Sequence, residues 1–347
     1  MRVAVLSPTW FPVPPTGYGG IEWIVHLLTE GLVKAGADVT LFASGDSVTD
    51  AKLEAIYERA PSEWIGHSYW ELRHAVNCFQ RADEFDVVHD HTGLLGLAVG
   101  ELLSVPFVHT VHGPLDGEPG DLYEQVCRLG RPRPRLISIS MSQRRPRPGL
   151  PWLANCPNSI DLDHYPFHRG HDEYLLFLGR MSPDKGAHRA VEVAQQAGLP
   201  LRMAGKCREP LELEYFDAHV RPALGDMIEY LGEVTHHEKV ALLQRARATL
   251  FPIAWEEPFG LVMIESMACG TPVVATRLGS VPEVLRDGVT GIVVDDHREM
   301  AAALARADEL DPDVLRREVE ERFTPQRMVR DHLAAYEAAI AEIRASA

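Results

Sequence analysis

Apolar positions along this 347-residue chain alternate between two spacings. Short unbroken runs, such as residues 3–6 and 175–178, read as buried strands, and longer stretches between them repeat at helical spacing. After the first run, Ile21, Ile24, Val25, Leu28 and Leu32 line one face of a helix expected over 21–35, with Gly36 as its stop. Further strands are expected at 39–43, 86–89, 107–111 and 136–140. The alternation restarts near Tyr174, with strands at 175–178, 201–204, 228–231, 249–252, 272–275 and 292–294 and a helix over 187–197. Two or three helical stretches follow, the last over 325–347. Such alternation marks a parallel sheet covered by helices, and two rounds of it predict an α/β chain of two Rossmann-like domains. The expected division is 1–168, 169–324 and a terminal helix 325–347 that crosses back to the first domain. Ligands in sheets of this type bind beyond the carboxyl ends of the strands, so two such domains facing each other would leave a cleft between them.

Composition narrows the class without naming it. A net charge of −16 argues against a general nucleic-acid binder, whose phosphate contacts need a basic footprint. The five cysteines are odd in number and lack metal-ligand or C-x-x-C spacing, which points to reduced thiols. The start, MRVAVLSPTW, lacks the apolar core and cleavage site of a signal peptide, and no uncharged apolar run approaches the ~18 residues of a membrane span. A soluble, cytoplasmic protein is expected.

The segment richest in chemistry runs from Trp255 to Glu265. Glu257 precedes Pro258 and Gly260, and Glu265 lies eight residues on, slightly over two turns into the following helix. A helix start offers free N–H groups and a positive dipole end to an anion such as a diphosphate, and the flanking carboxylates can hold sugar and ribose hydroxyls. On acid spacing alone, a surface Glu and a helix-face Glu explain the pair equally well. The wider context resembles the E-x7-E signature of family-4 retaining glycosyltransferases, which have the GT-B fold. Supporting segments are Ala268 to Ala275, Val281-Pro282-Glu283 and Gly288 to Gly291. Gly179-Arg180-Met181-Ser182-Pro183-Asp184-Lys185-Gly186 resembles the family's G-R-x-x-x-x-K-G loop, and Ala204-Gly205 and Leu231-Gly232 fall at its strand-end glycines.

The resemblance implies roles. Glu257 would contact hydroxyls of the transferred sugar and Glu265 the ribose diol. Phe259, Gly260 and Leu261 would bring backbone N–H groups to the diphosphate and sugar, and Arg180 and Lys185 would clamp the diphosphate as charge accumulates on it. In the first half, Gly17-Tyr18-Gly19-Gly20-Ile21-Glu22 resembles the family's glycine-rich loop, with Gly19 and Gly20 approaching the donor. His112 ends the strand that starts at Phe107 and would touch an outer hydroxyl of the donor sugar. Asp86 to His89 resembles the family's aspartate-valine-valine-histidine pattern.

Three features carry competing readings. His89, His91, His109 and His112 invite a zinc site, but strand-end H-x-H and H-x-x-H are not zinc-protease spacing, and hydrogen bonding to backbone or substrate is the better account. Asp161-Leu162-Asp163 has the form of a metal-binding D-x-D, yet it follows Pro157-Asn158-Ser159-Ile160 and resembles a structural connector with Ser159 in place of the family's glycine. Between Arg128 and Arg147 stand seven arginines and no acid, which is either a docking surface for an anionic acceptor or membrane or a solvated loop broken by prolines.

Together these imply a metal-independent, retaining hexosyltransferase that uses a UDP-glucose or GDP-mannose type of donor as co-substrate, with no cofactor. The acceptor would be a glycan, glycolipid or small metabolite. A GT-B epimerase or phosphorylase and a non-catalytic sugar-nucleotide binding protein are the alternatives, and a metal hydrolase built on the histidines is a third. The presence of Glu257, Glu265, Arg180, Lys185 and His112 together argues against a degenerate, non-catalytic copy.

Overall fold

The computed structural model describes residues 1–17, 19–130 and 135–346, the side chain of residue 346 excepted, so Tyr18 and the arginines 131 and 133 lie outside the described residues. The chain divides into two units. The first comprises Met1–Ser159 and Pro325–Ala347, the second Ile160–Thr324.

In the first unit the order is β1 (Arg2–Leu6), α1 (Gly20–Lys34), β2 (Asp38–Phe42), β3 (Lys52–Glu54), α2 (Ser68–Phe79), β4 (Val87–Asp90), α3 (Leu94–Gly100), β5 (Phe107–Thr110), α4 (Gly117–Cys127), β6 (Leu136–Ser138) and β7 (Trp152–Asn155). The second unit has β8 (Leu175–Leu178), α5 (Ala187–Ala197), β9 (Leu201–Ala204), α6 (Pro210–His219), β10 (Ile228–Tyr230), α7 (His236–Arg245) and β11 (Ala248–Phe251). It continues with α8 (Leu261–Cys269), β12 (Val273–Thr276), α9 (Val281–Val284), β13 (Ile292–Val294), α10 (Met300–Ala307) and α11 (Pro312–Arg322); α12 (Pro325–Ser346) then belongs to the first unit.

The first sheet has the order β3-β2-β1-β4-β5-β6-β7 and the second β10-β9-β8-β11-β12-β13, with every pairing parallel. In each, the strand order reverses direction beside the first strand, between β1 and β4 and between β8 and β11. In β1 and β8 the runs are apolar because helices cover both faces: Val3, Ala4, Val5 and Leu6 have no exposure, nor do Leu175 and Leu176, whereas β4 ends in the buried polar pair His89 and Asp90. The two strands that the hydrophobic pattern does not reveal are β3 and β7, both at sheet edges. Their sequences, KLE and WLAN, are short and only partly buried, and pairing with a neighbour makes them strands.

The division between units falls at Ser159/Ile160, not at 168/169 as the hydrophobic pattern suggested. Residues 160–168 belong to the second unit because their hydrogen bonds go there. Ile160 N donates to Phe323 O at 3.1 Å and His168 N to Cys269 O at 3.0 Å. Asp161-Leu162-Asp163 is a turn, in which Asp161 Oδ1 accepts from Asp163 N at 3.1 Å. Ser159 needs no glycine-like backbone, since no described residue other than glycine has positive φ. Its hydroxyl donates to Met328 Sδ at 3.3 Å, and Arg327 donates to the carbonyls of Pro157 and Asn158, which ties the connector to α12.

Four of the five described arginines of the block, Arg128, Arg135, Arg144 and Arg147, are committed to contacts within the first unit. Arg135 is fully buried; it pairs with the equally buried Glu101 and donates to Cys127 O at 2.8 Å. Arg147 pairs with Asp121 and Glu124, Arg128 pairs with Glu124, and Arg144 lies over Trp152 with its guanidinium 5.0 Å from the ring centre. The sequence between 128 and 147 holds no acid, but the fold brings acids to it from α4 and from Glu101 at the end of α3. Breaking a buried pair leaves an uncompensated charge, so Glu101→Ala is expected to destabilise the protein by about 3–5 kcal/mol. Chemical denaturation would check this, and a change below ~1 kcal/mol would show that Arg135 finds water or another acid.

Candidate active site

In open sheets of this type ligands bind beyond the carboxyl ends of the strands, at the switch point, so the loops that follow the two strands flanking it come first. In the second unit these are residues 179–186 after β8 and 252–260 after β11. They are knitted together, with Ala254 N donating to Asp184 O at 2.8 Å. The two loops carry Arg180, Lys185 and Glu257. Lys185 Nζ lies 2.5 Å from Glu257 Oε2 and 4.5 Å from the centre of the Trp255 ring, and Trp255 Nε1 donates to the same carboxylate oxygen at 3.0 Å. Arg180 pairs with Asp184 at 3.2 Å. The structure therefore brings Lys185, Glu257 and Trp255 into one cluster, with Arg180 on the same loop.

Gly260 caps α8 with φ of 76°, and Leu261 is its first residue. The first amides of a helix lack their usual partner within it, so this end, four residues after Glu257 in sequence, presents donors, although Met263 N turns to Gly260 O at 3.0 Å. Phe259 is buried against Phe323, with ring centres 5.9 Å apart, and its carbonyl accepts from Ser280 Oγ at 2.7 Å. Ser280 N also donates to Glu257 O at 2.9 Å, so the segment after β12 holds the backbone of the Glu257 loop. Gly279, in that segment, has φ of +54°, and a Cβ there would fall 2.3 Å from both N and O of Glu257.

Glu265 lies buried inside α8, where one oxygen, Oε1, accepts from Tyr165 OH at 2.7 Å and Lys239 Nζ at 2.6 Å. Burial opposes its charge, but the Lys239 ammonium and the two hydrogen bonds outweigh that and hold the carboxyl below its ordinary pKa. Glu265 is thus a fixed anion whose two hydrogen bonds both fall on Oε1. Sequence reading missed Tyr165, Lys239 and Gly279. Tyr165 lies 100 residues away from its partner and Lys239 26, so no local spacing announces them.

In the first unit, Gly19 precedes α1 with φ of +151°, and a Cβ there would sit 2.7 Å from Pro15 Cβ and 3.0 Å from Glu22 Oε2. Gly20 is the first residue of α1 and lacks that constraint. Glu22, in the first turn, is buried, and burial pushes its carboxyl up to about 7. His112 follows β5 and is half-buried; burial pushes its imidazole down to about 3, helped by the charges of His109 and His332. The four histidines do not converge on one point. His91 bonds to His112 and His89, while His109 Nδ1 donates to Asp90 at 2.6 Å. Among the described residues, no group of three or more His, Cys, Asp or Glu could hold a metal ion. Nor, among them, is any helix long and apolar enough to cross a membrane.

Two parallel-sheet, Rossmann-like units give the α/β architecture of the GT-B fold. Models of two families match: one described as Glycosyltransferase Family 4 over residues 18–155, and one described as Glycosyl transferases group 1 over residues 164–322. The chain belongs to glycosyltransferase family 4. Glycogen synthase of Mycobacterium tuberculosis is 29% identical over 344 residues, covering 84% of this chain and 82% of that protein. D-inositol 3-phosphate glycosyltransferase of Pseudarthrobacter chlorophenolicus is 29% identical over 352 residues, covering 85% and 84%. Among solved structures, AviGT4, a glycosyltransferase involved in avilamycin A biosynthesis, superposes with a TM-score of 0.74 at 26% identity, covering 98% of both chains. Sucrose-phosphate synthase from Thermosynechococcus elongatus gives a TM-score of 0.79 at 20% identity, covering 99% and 100%, and shares the fold.

Two expectations follow. Gly279→Ala forces about 1–3 kcal/mol of strain onto the Glu257 loop, so kcat/KM should fall roughly 10- to 100-fold, as steady-state kinetics would show. A raised folded-state pKa at Glu22 means that stability is greatest below the unfolded carboxyl value of 4.5 and is lost as pH rises through about 7. Glu22→Gln should remove that decline, on the order of 3 kcal/mol, in denaturation curves taken across this window.

Proposed function

We propose that this glycosyltransferase moves a hexose from a nucleotide-diphosphate sugar, of the UDP-glucose or GDP-mannose type, to a hydroxyl of a glycan, glycolipid or small molecule. The transfer retains the anomeric configuration and needs no metal. The observation that carries this reading is the cluster of Glu257, Lys185 and Trp255 in the loops before α8, with Glu265, inside that helix, held as a fixed anion.

In this reading the second unit holds the donor. The diphosphate sits against the amides of Gly260 and Leu261, with Arg180 and Lys185 neutralising the charge that builds up as its bond to the sugar breaks. An ammonium has three donors, so Lys185 can serve the phosphate while keeping Glu257. Glu257 holds sugar hydroxyls and the unshared oxygen of Glu265 the ribose diol. Two cations and a helix start supply the positive field that a metal ion provides elsewhere, which supports metal independence. From the first unit, the glycine-rich loop at Gly19 approaches the donor and His112 contacts a sugar hydroxyl. The acceptor oxygen bonds to the anomeric carbon on the face the phosphate leaves, and the departing phosphate oxygen takes the acceptor's proton. The names of the relatives, a glycogen synthase and a D-inositol 3-phosphate glycosyltransferase, agree with a carbohydrate or cyclitol hydroxyl as acceptor.

The test is a panel of nucleotide sugars titrated with EDTA present. A matching donor should raise the melting temperature, since it binds only the folded protein, and Glu265→Ala or Arg180→Ala should abolish the shift. Removing Arg180 or Lys185 should cost roughly 10²–10³ in kcat. An inverted anomeric centre in the product, read by NMR, would overturn retention; activity restored only by a divalent cation would overturn metal independence.

A further inference from the structure

Behind His112 runs a line of buried hydrogen bonds within the first unit. His112 Nε2 lies 3.0 Å from His91 Nδ1, His91 Nε2 lies 3.2 Å from His89 Nδ1, and His89 Nε2 lies 2.8 Å from Thr110 Oγ1. At its inner end Tyr336 OH, on α12, lies 2.7 Å from His89 Nδ1. His89, His91 and Tyr336 have no exposure. Burial holds both inner imidazoles well below their ordinary pKa, with neighbouring histidines adding to it, and holds the Tyr336 phenol well above its own. Near neutral pH every ring is therefore uncharged, and each has one N–H and one lone pair.

That condition fixes the tautomers in order. A phenol hydroxyl is a better donor than a neutral imidazole N–H and a poor acceptor, so Tyr336 donates to His89 Nδ1. His89 then carries its proton on Nε2 and donates to Thr110 Oγ1. His91 cannot face a lone pair with a lone pair, so its Nε2–H donates to the same His89 nitrogen. The two rings overlap here, with centres 3.9 Å apart and planes 44° apart, so His91 approaches His89 partly from its face, and this contact, at 3.2 Å, is the longest of the set. His91 Nδ1 is consequently an acceptor, and His112 Nε2–H donates to it. What remains on His112 is an Nδ1 lone pair, which has no hydrogen bond to the described residues.

We propose that Tyr336, His89 and His91 are positioning residues that lock His112 as the Nε2–H tautomer, so that its Nδ1 accepts a hydrogen bond from a hydroxyl of the donor sugar. The proposal rests on the sugar-contact role given to His112 above. It also gives α12 a function beyond covering the sheet, since its Tyr336 sets the chemistry at the end of β5.

Long-range proton–nitrogen NMR of the full-length protein, labelled at histidine, reads each tautomer without any substrate. The expected result is Nε2–H at His89, His91 and His112 in the wild type. In Tyr336→Phe the lock is lost, and the His112 nitrogen shifts should move toward the average of the two tautomers. With the competent form reduced to about half, apparent donor affinity should fall about twofold, with kcat little changed. An Nδ1–H tautomer at His112 in the wild type overturns the proposal, and that measurement needs no variant to fold. His112 shifts that stay unchanged in a folded Tyr336→Phe protein overturn it as well. His112→Ala separates the two levels: full activity in that variant refutes the sugar contact, and with it the catalytic meaning of the lock, while the wild-type spectrum still decides the hydrogen-bond order.

Discussion

Helices bury both faces of each parallel sheet, and this burial governs where chemistry can occur. The central strands have no exposed side, so polar groups can serve a ligand only where the strands end. At the reversal beside β1 and β8, neighbouring loops diverge to helices, and polar side chains can stand at the strand ends. Arg180, Lys185 and Glu257 occupy two such loops in the second unit; in the first, His91 follows β4 at the reversal and His112 follows β5, the next strand out.

Charges admitted at these edges are balanced close by. Glu265 is buried deeply enough that desolvation alone would favour its neutral form, and Lys239 and Tyr165 reverse that. Both contacts fall on one oxygen, Oε1, and hold the charge. Glu257 and Lys185 neutralise each other in the same manner in the loops before α8. Glu22 has no such counter-charge, and its carboxyl rises toward neutrality. The histidines behind His112 take a third course, remaining uncharged and satisfying one another ring to ring.

The arginines of 128–147 show the same economy in a purely structural setting. Read along the chain they form a positive block. In the folded protein Arg135 is sealed with Glu101, Arg147 and Arg128 meet acids of α4, and Arg144 stacks on Trp152. Sequence distance from an acid therefore says little about the field a cation produces.

Periodicity alone determined the two parallel sheets and most of their strands, because strands buried on both faces are written mostly as apolar runs, with polar residues gathered at their ends, as His89-Asp90 and His109-Thr110 are. The E-x7-E pair, the Arg180–Lys185 loop and the helix start between them were legible for a similar reason, since all lie within short segments whose spacing a helix or tight loop fixes. Edge strands β3 and β7 were not, because they draw their hydrogen bonds from a neighbour and bury little. The boundary at Ser159 depended on which partners residues 160–168 find; within the second unit Lys239, Tyr165 and Gly279 reach Glu265 and the Glu257 loop, and within the first Tyr336 reaches the histidines, from remote parts of the chain. Local spacing records what one element needs from itself; only the packed structure decides which distant side chain supplies a counter-charge, a clearance or a proton.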